Sequence, residues 1–427
     1  EITKTQPQKK KMAKILFRCS LLVTFLVFGL TTDTYGITEV PATPYYSAYN
    51  ITFTDVTLDH FRFQSNTTFP LRYVYNLQSA EVGSSKNTPL FVLVGCEATI
   101  TTFFEAAGFV STTLRKQFGA AVLGVEHRYF GASTPFGDQS FTEDHIPYLT
   151  VEQALADYVE VIQMFKNAHG LQDSPVVTFG GSYCGLLSSY MRMRYPWLVD
   201  GAIASAAPYR GFVGTDEPYA YFQALTEDYR NYNPQCETVL RTGIQSLKNF
   251  FTLTPGEFTD VSQQLNLCKP LSKALEVSDM YGWISSALLS LALFDYPYKL
   301  EMPANPLNVA CERAMASEST TSLPSGANSR FLSDDGLQNN VDNVKPVLDA
   351  VNVFYNRTET NTCNDIYSLD EFGSLDTTAW AYISGTSFLL DITTNGVTDM
   401  FWDLPLDLKP RKELLEKKLG FPITQRP

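Results

Sequence analysis

The chain predicts an α/β fold with a second, mainly helical region, and three observations carry that expectation. Pro89–Gly95, Ala120–Val125 and Val176–Phe179 are apolar runs without alternation, as strands buried on both faces should be. Between the last two runs lies a helix: Thr150 caps it, Gln153 closes a capping box, and Val151, Ala154, Leu155, Tyr158, Val159, Ile162 and Phe165 share one face. Strand, helix, strand in that order is a right-handed parallel crossover unit. Beyond Ser205-Ala206-Ala207-Pro208 the texture turns helical and aromatic, over Ala220–Phe250 and Val277–Phe294.

Ahead of these elements, Met12 opens a different kind of sequence. Lys14 and Arg18 precede twelve mostly apolar residues, Cys19–Leu30, and then Thr34-Tyr35-Gly36. This pattern reads as a secretory signal peptide, too short in its apolar part for a membrane span. Whether residues 1–11 are native is left open. Removing residues 1–36 takes away six basic and two acidic groups, so a net charge of −13 becomes −17. Such an acidic chain disfavours nucleic acid and anionic lipid as partners and suits an acidic vesicle. The sequons Asn50-Ile-Thr52, Asn66-Thr-Thr68 and Asn356-Arg-Thr358 fit a glycoprotein of the secretory pathway, lysosomal or extracellular. Residues 50–95 alternate apolar and polar positions in short runs and read as antiparallel strands. Met280–Phe294, bounded by Asp279 and Asp295, reads as a buried helix, and Ser317–Asn328 as a polar loop.

The chemistry concentrates in Val176-Val-Thr-Phe-Gly-Gly-Ser182-Tyr-Cys-Gly. A short strand, two glycines, a serine and then a helical segment make the shape of an α/β-hydrolase nucleophile elbow. Such a turn presents the serine Oγ above the carboxyl end of the sheet, with the next N–H aimed into an oxyanion hole. Ser182 is the candidate nucleophile and Tyr183 the candidate oxyanion donor. Cys184 departs from the pattern, which asks for Gly at that position so that helix and strand can approach. The expected organisation is a leader at 1–36, an α/β-hydrolase domain beginning at 37–208, a helical cap insertion at 209–400, and the start of a return to the hydrolase domain at 401–427, with the carboxy-terminal part of that domain missing.

Of seven cysteines, Cys19 leaves with the leader. Cys236, Cys268, Cys311 and Cys363 look like disulfide partners, with three pairings open to sequence alone. No C-x-x-C occurs and only four histidines exist, so neither a structural zinc nor any other metal or cofactor is expected.

Several blocks in order resemble a known family of serine exopeptidases, the one that includes prolylcarboxypeptidase and dipeptidyl peptidase II. They are Glu126-His-Arg-Tyr-Phe-Gly131, Leu149-Thr-Val-Glu-Gln-Ala-Leu-Ala-Asp157, Gly180-Gly-Ser-Tyr183, Arg192-Met-Arg-Tyr-Pro196, Asp295-Tyr-Pro-Tyr298 and Asn395-Gly-Val-Thr-Asp-Met-Phe401. Pro303-Ala-Asn-Pro306 and Thr398–Pro405 look closer to dipeptidyl peptidase II. The resemblance implies cleavage next to proline near a chain end through an acyl-enzyme on Ser182, with proline-containing peptides as partners and a homodimer left open. It implies that Tyr183 and the loop after Gly95 supply the oxyanion donors, that Leu186 and Leu390 line a proline pocket, and that Cys236 pairs with Cys311 and Cys268 with Cys363. Glu97, on the oxyanion-side loop, either binds a substrate's free amino group or ties its loop down.

Some features depart from the family. Cys96 stands where it carries Asn, Cys184 where it carries Gly, and Ile383 and Ser387 where it carries Gln and Glu. Two cysteines expected near Gly385 and Leu415 are absent together. Converging backbones predict that Cys96 and Cys184 approach each other, although two unrelated small buried residues is the reading the sequence favours. The chain order Ser, Asp, His requires a base after the nucleophile, yet His60, His127, His145 and His169 all precede Ser182. A fragment ending before the triad Asp and His is the favoured explanation, and a catalytically inactive binding glycoprotein is the alternative. His127 reads as a structural hydrogen-bonding histidine, and His145 and His169 as solvated.

Overall fold

The computed structural model describes residues 48–422, except 63, 65, 79, 81–87, 216, 300–301, 322–334, 368–376 and 388. The predicted leader therefore lies outside the described residues. The chain divides into two compact units.

The first unit holds the described residues up to Tyr209, those within Phe372–Leu390, and those from Leu415 on. Its six strands are β1 (Asn50–Thr57), β2 (Thr68–Asn76), β3 (Leu90–Val94), β4 (Ala121–Val125), β5 (Val176–Gly181) and β6 (Gly201–Ser205). They lie in the order β1-β2-β4-β3-β5-β6. β1 and β2 are antiparallel, as alternating sequences can be, and β2 joins β4 antiparallel. The remaining pairs are parallel. Every residue of β3 and β4 is buried, which explains their unbroken apolar runs. Helices α1 (Ile100–Ala106) and α2 (Arg115–Phe118) link β3 to β4. The chain then crosses from β4 to β5 through α3 (Val151–Ala168).

Helix α3 starts where Thr150 accepts a hydrogen bond from the Gln153 N–H. Only this half of the expected capping box forms. The Gln153 side chain instead donates to Asp59 Oδ1 at 2.7 Å and accepts from the His60 N–H at 3.0 Å, tying α3 to the segment after β1. A stronger tie sits beside it. Arg128 and Asp157 are both fully buried and joined by two bonds, Nε to Oδ2 at 2.6 Å and Nη2 to Oδ1 at 2.7 Å. The guanidinium also donates to the carbonyls of Thr57, Leu58 and Tyr148. Such a pair is tolerated in a core because all its polar atoms are satisfied.

The second unit, Arg210–Glu371 with Asp391–Leu414, is mainly helical. It contains α5 (Ala220–Tyr232), α6 (Pro234–Ser246), α7 (Pro255–Gln264), α8 (Ala274–Leu293), α9 (Pro306–Thr321) and α10 (Asp335–Tyr355). From Val277 to Leu291 every residue of α8 except Asp279 is buried, so its all-round apolarity reflects a core position. No helix among the described residues is long and apolar enough to cross a membrane. Residues 317–321, expected in a loop, extend α9, and the rest of that stretch lies outside the described residues. Disulfides Cys236–Cys311 and Cys268–Cys363 form as the resemblance implied. Trp402 stacks on Tyr281 at 3.9 Å and donates to the Ile244 carbonyl at 2.7 Å, which fixes the returning segment in this unit.

The observed units divide the chain differently from the expected boundaries. Residues 372–390, with α11 (Thr377–Thr386), group with the sheet, and Asp391–Leu414 groups with the helices. The positions of the two absent cysteines do face each other: a Cβ on Gly385 would lie 2.4 Å from Leu415 Cδ2, so leucine fills space beside a glycine there.

Candidate active site

The strand–turn–helix predicted from residues 176–195 is present, with β5 running directly into α4 (Ser182–Arg194). Ser182 has φ = 54°, a left-handed conformation that costs a non-glycine residue of order 1 kcal/mol or more. A single strained residue here turns the chain sharply from strand to helix, as a nucleophile elbow requires. Ser182 is half-buried, while Tyr183 and Cys184 are buried. The N–H groups of a helix's first turn point out of its amino-terminal end, and Tyr183 supplies one of them.

Close approach around the turn depends on Gly180 and Gly185 rather than on position 184. A Cβ on Gly180 would stand 2.1 Å from the Cys184 carbonyl oxygen, and one on Gly185 would stand 3.0 Å from the Ser205 oxygen of β6. Position 184 is therefore released from the need for glycine. Its side chain forms a disulfide with Cys96, with Cα atoms 5.3 Å apart. This corrects the reading of two unrelated small residues. β3 and β5 are neighbours in register, Leu93 opposite Phe179, so the segments that leave their carboxyl ends converge.

The loop after Gly95, the expected second source of oxyanion donors, is held from several directions. Gly95 donates its N–H to the Val125 carbonyl at 2.9 Å, and its own carbonyl accepts from Tyr158 Oη of α3 at 2.7 Å. A Cβ on Gly95 would meet the Val125 oxygen at 2.3 Å, so only glycine fits. Next in the chain come bridged Cys96 and then Glu97, which is 2% exposed. Neither Glu97 oxygen has a hydrogen-bond partner. Burial raises its pKa to about 8. Its side chain does not tie the loop down. Cys96, Glu97 and Cys184 crowd together, but the two sulfurs are committed to each other.

His127 is fully buried, as a structural histidine should be. Its Nδ1 lies 2.7 Å from the Arg128 carbonyl, so Nδ1 carries the proton, and Nε2 accepts from Tyr183 Oη at 3.1 Å. Burial lowers its pKa to about 4, which keeps it neutral. The Tyr183 ring also packs on Trp380, centroids 5.4 Å apart. The other histidines are engaged elsewhere. His60 Nε2 lies 2.8 Å from Asp157. His145, expected to be solvated, stacks on Phe136 at 3.8 Å, and His169 packs on Phe165 at 4.4 Å. None of the four hydrogen-bonds Ser182.

Leu186 is buried one turn along α4 from Ser182, and Leu390, 9% exposed, follows α11 in the same unit. Ile383 is fully buried within α11. Sequence reasoning missed Tyr158 as a support of the loop after Gly95, because its apolar-face spacing on α3 marked it only as core. The strained turn at Ser182, the neutral His127 beneath Tyr183 and the fixed carbonyl of Gly95 together form a rigid elbow whose serine has no base among the histidines.

Known proteins align with most of this framework. The human lysosomal Pro-X carboxypeptidase is 31% identical over 366 residues, covering 83% of this chain and 68% of that protein. The mouse protein of the same name is 29% identical over 408 residues, covering 91% and 78%. A Caenorhabditis elegans prolyl carboxy peptidase like protein 5 is 29% identical over 358 residues, covering 81% and 66%. Residues 56–407 match the family model described as serine carboxypeptidase S28, and the chain therefore belongs to the serine carboxypeptidase S28 family.

Proposed function

We propose that this protein is a serine exopeptidase of the secretory or lysosomal pathway that cleaves peptides next to proline through an acyl-enzyme on Ser182. The observation that carries the reading is the left-handed Ser182 between β5 and α4, in a chain of the S28 family. In this mechanism Ser182 Oγ attacks the scissile carbonyl, and the N–H of Tyr183 with one from the loop after Gly95 stabilises the oxyanion. His127 keeps the Tyr183 ring in place. Leu186 and Leu390 contribute to an apolar proline pocket. None of the four histidines of this chain hydrogen-bonds Ser182, so none of them is assigned as the general base, and the alignment takes in 68% of the human relative.

Burial pushes the Glu97 carboxyl toward its neutral form, so the site offers no preformed carboxylate beside the hole. The relatives named Pro-X carboxypeptidases support release of the residue after proline at the carboxyl end over dipeptidyl cleavage. The test is to express the complete reading frame and assay, at acid pH, a peptide ending in Pro-X and an X-Pro-arylamide. Turnover of the first that Ser182→Ala reduces by at least about 10³-fold is expected. Turnover of the arylamide alone reverses the direction. No turnover of either, or turnover indifferent to Ser182→Ala, leaves the inactive binding glycoprotein as the correct reading.

A further inference from the structure

Beside the elbow sits a cluster that peptide hydrolysis does not require. The bonded sulfurs of Cys96 and Cys184 and a carboxylate oxygen of Glu97 lie within 4.8 Å of one another. Glu97 is 98% buried by its 2% exposure, and neither of its oxygens is hydrogen-bonded. An unsatisfied buried carboxyl costs stability, and a purely structural disulfide gains nothing from one beside it. Thiol–disulfide exchange does. Breaking the bridge generates a thiolate in a buried place, and a neutral acid within reach can discharge it.

The two sulfurs are not equivalent. Cys184 is the third residue of α4, where the helix amino terminus stabilises a thiolate, so it is the better leaving group. Cys96, on the loop after β3, is then the sulfur that is attacked. Tyr158 and Tyr183 flank the carboxyl, and burial holds both protonated. The Arg128–Asp157 pair beyond Tyr158 is internally neutralised.

We propose that Cys96–Cys184 is a thiol–disulfide exchange site for a dithiol reductant, with Glu97 as its proton donor and acceptor, and that its redox state sets the spacing of the two oxyanion-hole segments. A thiolate of the reductant attacks Cys96 Sγ, and the S–S electron pair leaves on Cys184 Sγ, which takes the Glu97 proton. The second thiol of the reductant attacks the mixed disulfide and releases Cys96 Sγ. Its proton restores Glu97, and Cys96 is protonated from solvent. The protein gains two electrons and two protons, and the reductant leaves as its disulfide. Cys96 is fully buried and Cys184 2% exposed, so the exchange passes through a local opening at the strained Ser182 turn. Two thiols require van der Waals separation where a bond stood. Reduction therefore moves the Tyr183 segment away from the loop after Gly95.

The exchange is read without turnover, so its outcome is independent of the peptidase reading. The folded full-length protein is exposed to graded dithiothreitol near neutral pH, trapped with N-ethylmaleimide and mapped by peptide mass spectrometry. Cys96 and Cys184 are expected to be alkylated while Cys236–Cys311 and Cys268–Cys363 remain intact. Glu97→Gln is expected to slow that alkylation about 10-fold with the other bridges unaffected, their persistence reporting that the variant is folded. Should Glu97→Gln not fold, the order of reduction in the wild type decides. Simultaneous reduction of all three bridges, Cys96–Cys184 reacting last, or an unchanged rate in folded Glu97→Gln overturns the exchange site. In protein that hydrolyses proline peptides, reduction is expected to change kcat several-fold with a smaller change in KM, and an unchanged kcat overturns the coupling to the hole.

Discussion

Glu97 and His127 are both buried beside the elbow, and burial drives both toward neutrality from opposite directions. For Glu97 the sign of the consequence is set by which state holds the proton. Between about pH 4.5, its ordinary value, and about pH 8, the native state holds a proton that the unfolded chain has released. Stability therefore falls as pH rises through that window, by at most roughly 1.4 kcal/mol per pH unit. Glu97→Gln is expected to remove this slope, so that the variant gains on the wild type from pH 5 to pH 7.5. Denaturant unfolding of both proteins at the two pH values checks it, and parallel pH dependences would contradict it. His127 is held neutral by burial, which lowers its pKa to about 4, while the Arg128 carbonyl fixes which ring nitrogen carries the proton and leaves the other to hold Tyr183. The residue scale was partly legible in sequence. Ser182 announced itself through two glycines and a strand, whereas the isolation of Glu97 depends on what failed to come near it.

At the scale of elements, β5 and α4 meet through a turn that tolerates almost no added volume. Gly180→Ala places a methyl group against the Cys184 main chain and is expected to disrupt the elbow, with turnover lost while far-UV circular dichroism is largely retained. Helix α3 is fixed chiefly by its buried ion pair. Asp157→Asn leaves the Arg128 guanidinium partly uncompensated in the core, and a loss of about 3–5 kcal/mol in denaturant unfolding is expected. The period of α3 and its Thr150 cap were plain in sequence. The capping box was half wrong because Gln153 found Asp59 and the His60 N–H instead, partners 94 and 93 residues away. Local patterns describe a helix's own backbone and are silent about distant competitors for its side chains.

For the whole molecule, the helical unit relies on two cross-links that close long stretches of chain, separated by 75 and 95 residues. Replacing Cys268 and Cys363 together by serine is expected to cost about 2–5 kcal/mol, read as a lower Tm of the full-length protein. An unchanged Tm would show that packing around Trp402 and α8 suffices. What the sequence by itself determined are features written in consecutive residues: the buried strands, the crossover helix, the elbow and the family blocks, each of which follows from side-chain periodicity or from a backbone demand for glycine. Tertiary structure alone decided that Cys184 meets Cys96, that Glu97 stands without a partner, and that residues 372–390 group with the sheet. These depend on strand order. Placing β3 beside β5 brings together residues 88 apart in the chain, and no local pattern encodes which strands become neighbours.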